Sequence, residues 1–235
     1  MLPALGWGCL AASSLVIGAV LAFAREWTRP QVGVVLAFGA GALISAVSFE
    51  LWEEGSAIGG LGWTGLGLAI GALTYYACDS RIDRRGGRGG EADTGKALAL
   101  GAFLDGIPEQ LVLGIGLAGG SGVSVALLVA IFASNLPEAI GSARGMVESG
   151  GSRAAVLRLW AGVAGACALA TVVGYAIADA ASGGLHAAVN GFAAGALLVM
   201  LIDSMIPVAS RDAGRVAGLV TALGFAVAAL LSSLS

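Results

Sequence analysis

The sequence predicts an all-α integral membrane protein with eight transmembrane helices. Of its 235 residues, 57% are hydrophobic and only 11% are charged, whereas a soluble domain has about 25% charged residues. Apolar stretches of about 20 residues, enough to cross a bilayer core of roughly 30 Å as a helix, follow one another along the chain. The basic residues fall only in alternate connections between these stretches, which supports the count of eight.

The apolar stretches account for nearly the whole chain. They cover residues of about 5–24, 33–53, 60–79, 97–118, 123–146, 155–178, 186–208 and 215–234. Because the connections are too short for a soluble domain, we expect residues 1–235 to form a single membrane domain. The first stretch has no basic n-region and is longer than the apolar part of a typical secretion signal, which indicates a retained helix.

The positions of the basic residues predict the orientation. Each Lys or Arg lies in an odd-numbered connection or at its helix ends, and the even-numbered connections have none. The residues are Arg25, Arg29, Arg81, Arg84, Arg85, Arg88, Lys96, Arg144, Arg153, Arg158, Arg211 and Arg215. Cytoplasmic loops carry an excess of Lys and Arg. We therefore expect the protein to lie in the inner membrane of the cell. The odd-numbered connections should face the cytoplasm, and both termini should lie on the outer side.

The connection over residues 80–96 is the longest, and its Gly and Arg content predicts a flexible cytoplasmic loop. It contains neither His nor Cys, so an anchoring role for its positive charges is favoured over metal sensing. The cysteines Cys9, Cys78 and Cys167 are scattered singly, without a CxxC pair, and are interpreted as packing residues.

Two helices of the chain resemble each other. The stretch FGAGALISAV from Phe38 matches FAAGALLVML from Phe192 over Phe, small, Ala, Gly, Ala, Leu and an aliphatic residue. By the predicted orientation these helices run in opposite directions, which indicates an inverted repeat pairing helices 1–3 with helices 6–8, as in many secondary transporters. The alternative is a chance similarity between two closely packed apolar helices.

Helices 4 and 5 carry related polar motifs inside apolar sequence. In LDGIPEQL the carboxylates Asp105 and Glu109 are four residues apart, and in ASNLPEAI the same spacing separates Ser134 from Glu138. A spacing of i and i+4 places each pair on one face of its helix, one turn apart. Both pairs fall near the middle of their predicted spans, so these side chains are expected to approach one another at mid-depth.

Carboxylates at that depth need protons or a cation. An ionised side chain at the membrane centre costs on the order of 3 kcal/mol on insertion scales. Two carboxylates about 6 Å apart add a repulsion of about 3 kcal/mol at an effective dielectric constant of 20. A group that exchanges a bound cation for protons would satisfy both constraints.

Each motif also contains a proline, at Pro108 and Pro137. A proline inside a helix removes one backbone hydrogen bond, which frees the carbonyls of Leu104 and Ala133 and is expected to add oxygen ligands near the carboxylates. The alternatives are a simple kink and an intramembrane Glu that hydrogen-bonds a neighbouring helix as the neutral acid. Two Pro-Glu motifs on adjacent helices favour a binding site.

With these motifs the chain resembles the ZIP (Zrt/Irt-like) family of divalent-metal transporters. The residues that carry the resemblance are DGIPEQ, SNLPEA, the Phe-x-Ala-Gly-Ala starts in helices 2 and 7, and Asp203 four residues before Pro207. The resemblance implies eight helices in a 3+2+3 arrangement, both termini outside, and alternating-access transport. It also implies that the motifs of helices 4 and 5 bind the transported metal.

The motifs depart from the family pattern. The position that is commonly His is Asp105 in helix 4 and Ser134 in helix 5, and the Asn position of helix 4 is Gly106. Helix 6 lacks the Glu that completes a second metal position in many members, with Gly165 as the nearest equivalent. We therefore expect a single site whose ligands are Asp105, Glu109, Ser134, Asn135 and Glu138.

The chemical types of the expected ligands indicate which metal ions the site prefers. Oxygen ligands favour hard cations such as Mn, Mg, Ca or ferrous iron, whereas the resemblance implies zinc or iron. The expected substrate is thus a divalent cation of the Zn, Fe or Mn class, with no separate cofactor. The expected partners are this ion and the lipid bilayer, without nucleic acid, and a homodimer is compatible with the sequence.

Other polar residues have weaker assignments. Ser45 and Ser48 of helix 2 are expected to face the core. Three acids near its outer end could attract cations electrostatically or form a solvated helix end: Glu50, Glu53 and Glu54. The resemblance favours Asp203 as an exit ligand, with an interface residue as the alternative, and His186, the single histidine, is expected to be an interfacial residue.

The sequence therefore predicts a transporter and not an enzyme. No GxxxxGK[ST] motif is present, so an ion gradient or the metal gradient would drive transport. A sensor or assembly subunit that binds metal without moving it is the main alternative, because Gly106 and Gly165 stand at ligand positions. An intramembrane hydrolase using Asp105 and Glu109 is disfavoured, because residues one turn apart on one helix cannot easily flank a substrate bond.

Overall fold

The computed structural model describes residues 1–86, 91–118, 124–180 and 182–234, and each element within these ranges is helical. We number the continuous helices α1 to α8, counting a π-helical turn as part of the helix that contains it. They are α1 (Leu2–Ala24), α2 (Arg29–Gly59), α3 (Leu61–Gly86), α4 (Glu91–Ala118), α5 (Val125–Glu148), α6 (Arg153–Ala180), α7 (Gly183–Ala213) and α8 (Val216–Leu234).

Six of the described helices are long and apolar enough to cross a membrane: α1, α2, α5, α6, α7 and α8. The helix α3 is outside this set because its glycines and polar aromatic residues lower its mean hydropathy. Within α4, the described apolar stretch is the shorter range Gly106–Ala118. The protein is thus an all-helical chain with several membrane-length helices.

Helical structure extends into the segment that the sequence predicts to be a loop. The helix α3 continues to Gly86 and α4 begins at Glu91, so the backbone of residues 80–86 and 91–96 is helical. One reason is that Arg81, a good helix former, lies one turn after Ala77 and donates a hydrogen bond of 2.8 Å to its carbonyl oxygen. The rest of the predicted loop, residues 87–90, lies outside the described ranges.

The aligned helices α2 and α7 share two backbone features at equivalent positions. Each has a π-helical turn that begins nine residues after the aligned phenylalanine, at Val47 in α2 and at Leu201 in α7. Each is followed by a glycine with positive φ, Gly60 (85°) and Gly214 (61°). Because other residues rarely adopt this conformation, glycine ends both helices sharply at matching places.

The same two helices also make equivalent close contacts. A Cβ atom on Gly41 of α2 would collide with the carbonyl oxygen of Thr221 on α8, and one on Gly195 of α7 would collide with that of Leu68 on α3. Both glycines lie three residues after the aligned phenylalanine. The α2–α8 and α3–α7 pairs therefore pack alike, with the backbones so close that only glycine fits.

Glycines of the partner helices α8 and α3 make equivalent contacts with α2 and α7. Gly224 of α8 lies against the carbonyl oxygen of Phe38, and Gly71 of α3 lies against that of Phe192. The backbone of the phenylalanine that starts each similar stretch is thus in close contact with a glycine of the partner helix.

The helix α5 is held between α1 and α2. Gly18 of α1 lies against the carbonyl oxygen of Leu136, where a Cβ atom would come within 2.5 Å, and Gly39 of α2 lies against that of Ala133 at 2.6 Å. On the other side of the bundle, Gly114 of α4 and Gly174 of α6 bring those two helices into similarly close contact. This packing places the motif of α4 between α5 and α6.

Candidate metal centre

Glu109 and Ser134 join the two proline-containing helices in the interior of the protein. The Glu109 side chain is 1% exposed and the Ser134 side chain 3% exposed. The Ser134 hydroxyl donates a hydrogen bond of 2.9 Å to Oε1 of Glu109. Two of the residues that the sequence assigns to a common site are therefore in direct contact.

The Ser134 hydroxyl has a second acceptor within reach. Its Oγ is 3.0 Å from the carbonyl oxygen of Ile131, one turn earlier on α5. Since a hydroxyl carries one proton, Ser134 can donate either to an ionised Glu109 or to Ile131. In the second case a protonated Glu109 can donate to Ser134. The pair thus offers a hydrogen bond to both protonation states of the acid.

Asn135 and Glu138 continue the site along α5. The Asn135 side chain is 1% exposed, and neither its Oδ1 nor its Nδ2 has a hydrogen-bond partner among the described residues. A buried amide without partners costs about 1–3 kcal/mol, and the position of Asn135 directly after Ser134 leaves its amide oxygen available to a ligand of the site. Glu138, one turn after Ser134, is half-buried.

The Asp105 side chain lies outside the described part of the structure, although its backbone is in α4. The expectation that Asp105 is a ligand therefore stays a prediction. Among the side chains that are described, no group of three or more His, Cys, Asp or Glu residues is arranged to hold a metal ion.

The helix α6 contributes a residue that the sequence analysis assigned to packing alone. The Cys167 thiol is fully buried and lies within electrostatic range of the carboxyl groups of both Glu109 and Glu138. A Cβ atom on Gly106 would come within 2.8 Å of its Sγ. The thiol thus fills the space beside Gly106, where the family pattern has a ligand side chain.

The interpretation of Gly165 as the α6 position of the site is wrong. Gly165 is exposed, and a Cβ atom there would meet nothing within 4 Å. The buried stripe of α6 instead runs through Trp160, Ala164, Cys167 and Thr171. This spacing of three and four residues is the signal in the sequence that could have identified Cys167.

Next to Glu109, Gln110 links α4 to α6. Both Gln110 and Thr171 are fully buried, and the Thr171 hydroxyl donates a hydrogen bond of 2.6 Å to Oε1 of Gln110. The site is therefore bordered by a second polar contact that fixes the rotation of α4 against α6.

The carbonyl freed by Pro137 has a different neighbour from the expected one. The carbonyl oxygen of Ala133 lies against Gly39 of α2, so its close contact is with a neighbouring backbone. Pro108 and Pro137 both lie inside continuous helices.

The acids of α2 have separate partners. Glu50 accepts a hydrogen bond of 2.6 Å from Ser124, whose hydroxyl also accepts from the backbone N–H of Leu127 as the N-cap of α5. Glu54 interacts electrostatically with His186 of α7, while Glu53 is exposed. Glu50 therefore fixes the start of α5, and a common role of the three acids in attracting cations stays a prediction.

The remaining assigned residues lie apart from the centre or at its border. Ser45 is buried, as expected, whereas Ser48 is half-buried and donates to the carbonyl oxygen of Ile44. Asp203 is exposed on the π-helical turn of α7. The assignment of Asp203 as an exit ligand stays a prediction.

No protein-family model matches the chain, and no curated protein matches it with significance. The resemblance to the ZIP family therefore stays a prediction that depends on the motifs of α4 and α5. The chemistry of the site has to be argued from its own residues.

Proposed function

We propose that the protein transports divalent metal cations across the inner membrane, through a site formed by Asp105, Glu109, Ser134, Asn135 and Glu138. The observation that carries this proposal is the contact between Ser134 and Glu109, buried between two proline-containing helices. Acidic side chains are costly inside a membrane and mark ion or proton pathways when they occur there.

The proposed topology has eight transmembrane helices in a 3+2+3 arrangement, with α1–α3 and α6–α8 as inverted repeats and both termini outside. It is supported by the equivalent π-helical turns and terminal glycines of α2 and α7. The matching glycine contacts of the α2–α8 and α3–α7 pairs support it further. The distribution of Lys and Arg supports the orientation.

In the proposed mechanism the site alternates between the two sides of the membrane and exchanges metal for protons. When the metal leaves, Glu109 takes up a proton and donates a hydrogen bond to Ser134, whose own hydroxyl then donates to the carbonyl oxygen of Ile131. When a metal arrives, Glu109 loses the proton, and the amide oxygen of Asn135 gains a partner. This exchange would keep the buried charge compensated throughout the cycle.

The neighbouring thiol of Cys167 affects the expected selectivity. Oxygen ligands alone favour hard cations, whereas a thiol favours zinc and other softer ions. Because the buried Cys167 thiol lies within electrostatic range of Glu109 and Glu138, we place zinc and ferrous iron beside manganese in the substrate class.

The test is uptake of radioactive zinc and manganese into proteoliposomes by the wild type, Glu109→Gln and Glu138→Gln. We expect both variants to lose uptake, because the amide keeps the shape of the side chain but removes its charge. Asp212→Asn is the control for removal of a carboxylate, since Asp212 at the end of α7 pairs with Arg211 and belongs to neither the site nor its border. Uptake near the wild-type rate in Glu109→Gln or Glu138→Gln would remove that residue from the site.

The same assay separates transport from sensing. A sensor would bind metal in a fixed ratio to the protein, whereas a transporter accumulates it inside the vesicles with time. Stoichiometric binding without accumulation, in folded wild-type protein, would contradict the proposed function.

A further inference from the structure

A basic pocket lies at one end of the bundle, where α1 and α5 end and α6 begins. Its volume is about 360 Å³, which is at the lower end of the range of about 300–1,000 Å³ for small-molecule sites. Three arginines and two glutamates from three separate segments line it: Arg25, Glu26, Arg144, Glu148 and Arg153. This pocket is separate from the centre around Glu109.

The carboxylates of the pocket act mainly on one of its arginines. Arg144 forms an ion pair of 2.8 Å with Glu148, donates to the carbonyl oxygen of Trp27 at 3.0 Å and interacts electrostatically with Glu26. The partners of Arg144 are therefore in place before any ligand binds.

The other two arginines keep their charges available. The Arg25 guanidinium stacks over Trp27 at 4.3 Å and the Arg153 guanidinium lies 5.6 Å from the ring of Phe23. Within the described part of the chain, neither forms an ion pair with a carboxylate. Contacts with aromatic rings orient a guanidinium but do not neutralise it.

The position of the pocket relative to the membrane indicates the kind of ligand that it binds. The helices α1, α5 and α6 are all long enough to cross a membrane, so their ends fall at the level of the lipid head groups. Trp27 is an aromatic residue of the kind that is enriched at this boundary. Basic pockets between transmembrane helices bind anionic lipid head groups, and an arginine fork matches the oxygens of a phosphate group.

We infer that this pocket binds a phosphate group through Arg25 and Arg153, with the head group of an anionic phospholipid as its expected source. The bound lipid would tie the end of α1 to the connection between α5 and α6. The net charge of the pocket, one positive charge from three arginines and two glutamates, favours a monoanionic phosphodiester.

The experiment uses the full chain in neutral detergent, with retained lipid counted by native mass spectrometry. Phosphatidylglycerol and phosphatidylcholine are added at equal molar ratios. We expect retention of phosphatidylglycerol over phosphatidylcholine, and an affinity about five-fold weaker in each of Arg25→Gln and Arg153→Gln, since one arginine near a membrane surface contributes about that factor. Arg211→Gln and Arg215→Gln, which remove equal charges at another connection, are the matched controls and should stay within about two-fold of the wild type.

A second arm distinguishes the lipid from free phosphate. Free phosphate is the ligand if millimolar inorganic phosphate raises the melting temperature of the wild type but not that of Arg25→Gln or Arg153→Gln. In that case the two substitutions should leave the retention of phosphatidylglycerol unchanged. The inference is wrong if the binding of both ligands is independent of Arg25 and Arg153. It is also wrong if Arg211→Gln and Arg215→Gln lose as much affinity for the lipid as Arg25→Gln and Arg153→Gln. Should a Gln variant fail to fold in phosphatidylcholine, Arg25→Lys and Arg153→Lys, which keep the charge but lose the fork, are measured instead. They should bind phosphate less tightly than the wild type.

Discussion

The Ser134 hydroxyl on α5 lies 2.9 Å from Glu109 Oε1 on α4, and both side chains are shielded from solvent. This contact joins the two Pro-Glu motifs through a serine. A serine there can donate a hydrogen bond to the ionised acid, or it can accept one from the protonated acid while donating to the Ile131 carbonyl oxygen. The proposed exchange of protons for metal depends on this pair.

Ser134→Ala is expected to impair both stability and transport. Removing a hydrogen bond to a charged group costs about 1.5–3 kcal/mol, so the melting temperature should fall. Zinc uptake should fall by more than about tenfold, which corresponds to about 1.4 kcal/mol. Both are measured on purified protein, by thermal unfolding and by proteoliposome uptake.

The control for this variant is Ser14→Ala. Ser14 is equally buried, but its hydroxyl donates only to the Ala11 carbonyl of its own helix. It should retain uptake. Wild-type uptake in Ser134→Ala would exclude Ser134 from the site.

Asn135→Ala should separate stability from function. The amide makes no hydrogen bond among the described residues, so its removal breaks no such bond and the free energy of unfolding should change by less than about 1 kcal/mol. Uptake should nevertheless fall, because the ligand would lose an oxygen partner. Asn190→Ala is the matched control, since its buried amide in α7 also lacks partners among the described residues. A large loss of stability together with full uptake in Asn135→Ala would contradict this role.

Cys167→Ser is expected to shift metal selectivity. Replacing the thiol by a hydroxyl removes the one soft donor near Glu109 and Glu138 among the described side chains, and oxygen donors favour harder cations. The ratio of zinc to manganese uptake should therefore fall. Cys9→Ser, at an exposed cysteine of α1, should leave the ratio unchanged. An identical ratio in Cys167→Ser and the wild type would show that the thiol does not contact the transported ion.

Gly41→Ala and Gly195→Ala should destabilise the protein to a similar extent. In each case a Cβ atom would collide with a carbonyl oxygen of the partner helix, and overpacking of this kind costs about 1–3 kcal/mol. Thermal unfolding in detergent measures the effect. If the two helices are equivalent repeats, the two losses should agree within about 1 kcal/mol.

The control for the glycine variants is Gly165→Ala, at an exposed position with nothing within 4 Å. It should be neutral or slightly stabilising, because alanine is the better helix former. Destabilisation of Gly165→Ala equal to that of Gly41→Ala would contradict the explanation by close backbone contact.

Several features of the fold and of the site follow from the sequence directly. Membrane-length apolar stretches predict the helices, because a bilayer demands about 20 apolar residues for each crossing. The matched motifs predict that Glu109 and Ser134 meet, because the i and i+4 spacing and the shared proline place them on corresponding faces. The limits of the predicted loop over residues 80–96 do not follow from the sequence in the same way. Its Arg and Asp residues are compatible with a helix that extends beyond the membrane.

The sequence by itself thus determined the helical class, the membrane location and the acidic motifs of α4 and α5. The tertiary structure decided which face of each helix packs inward: it placed the Cys167 thiol against Gly106, and Gly165 on the outside. The physical reason is that lipid and protein interior are both apolar. Hydropathy therefore distinguishes a helix from a loop but does not show how the helix is rotated, and only close backbone contacts such as Gly41 with Thr221 fix that rotation.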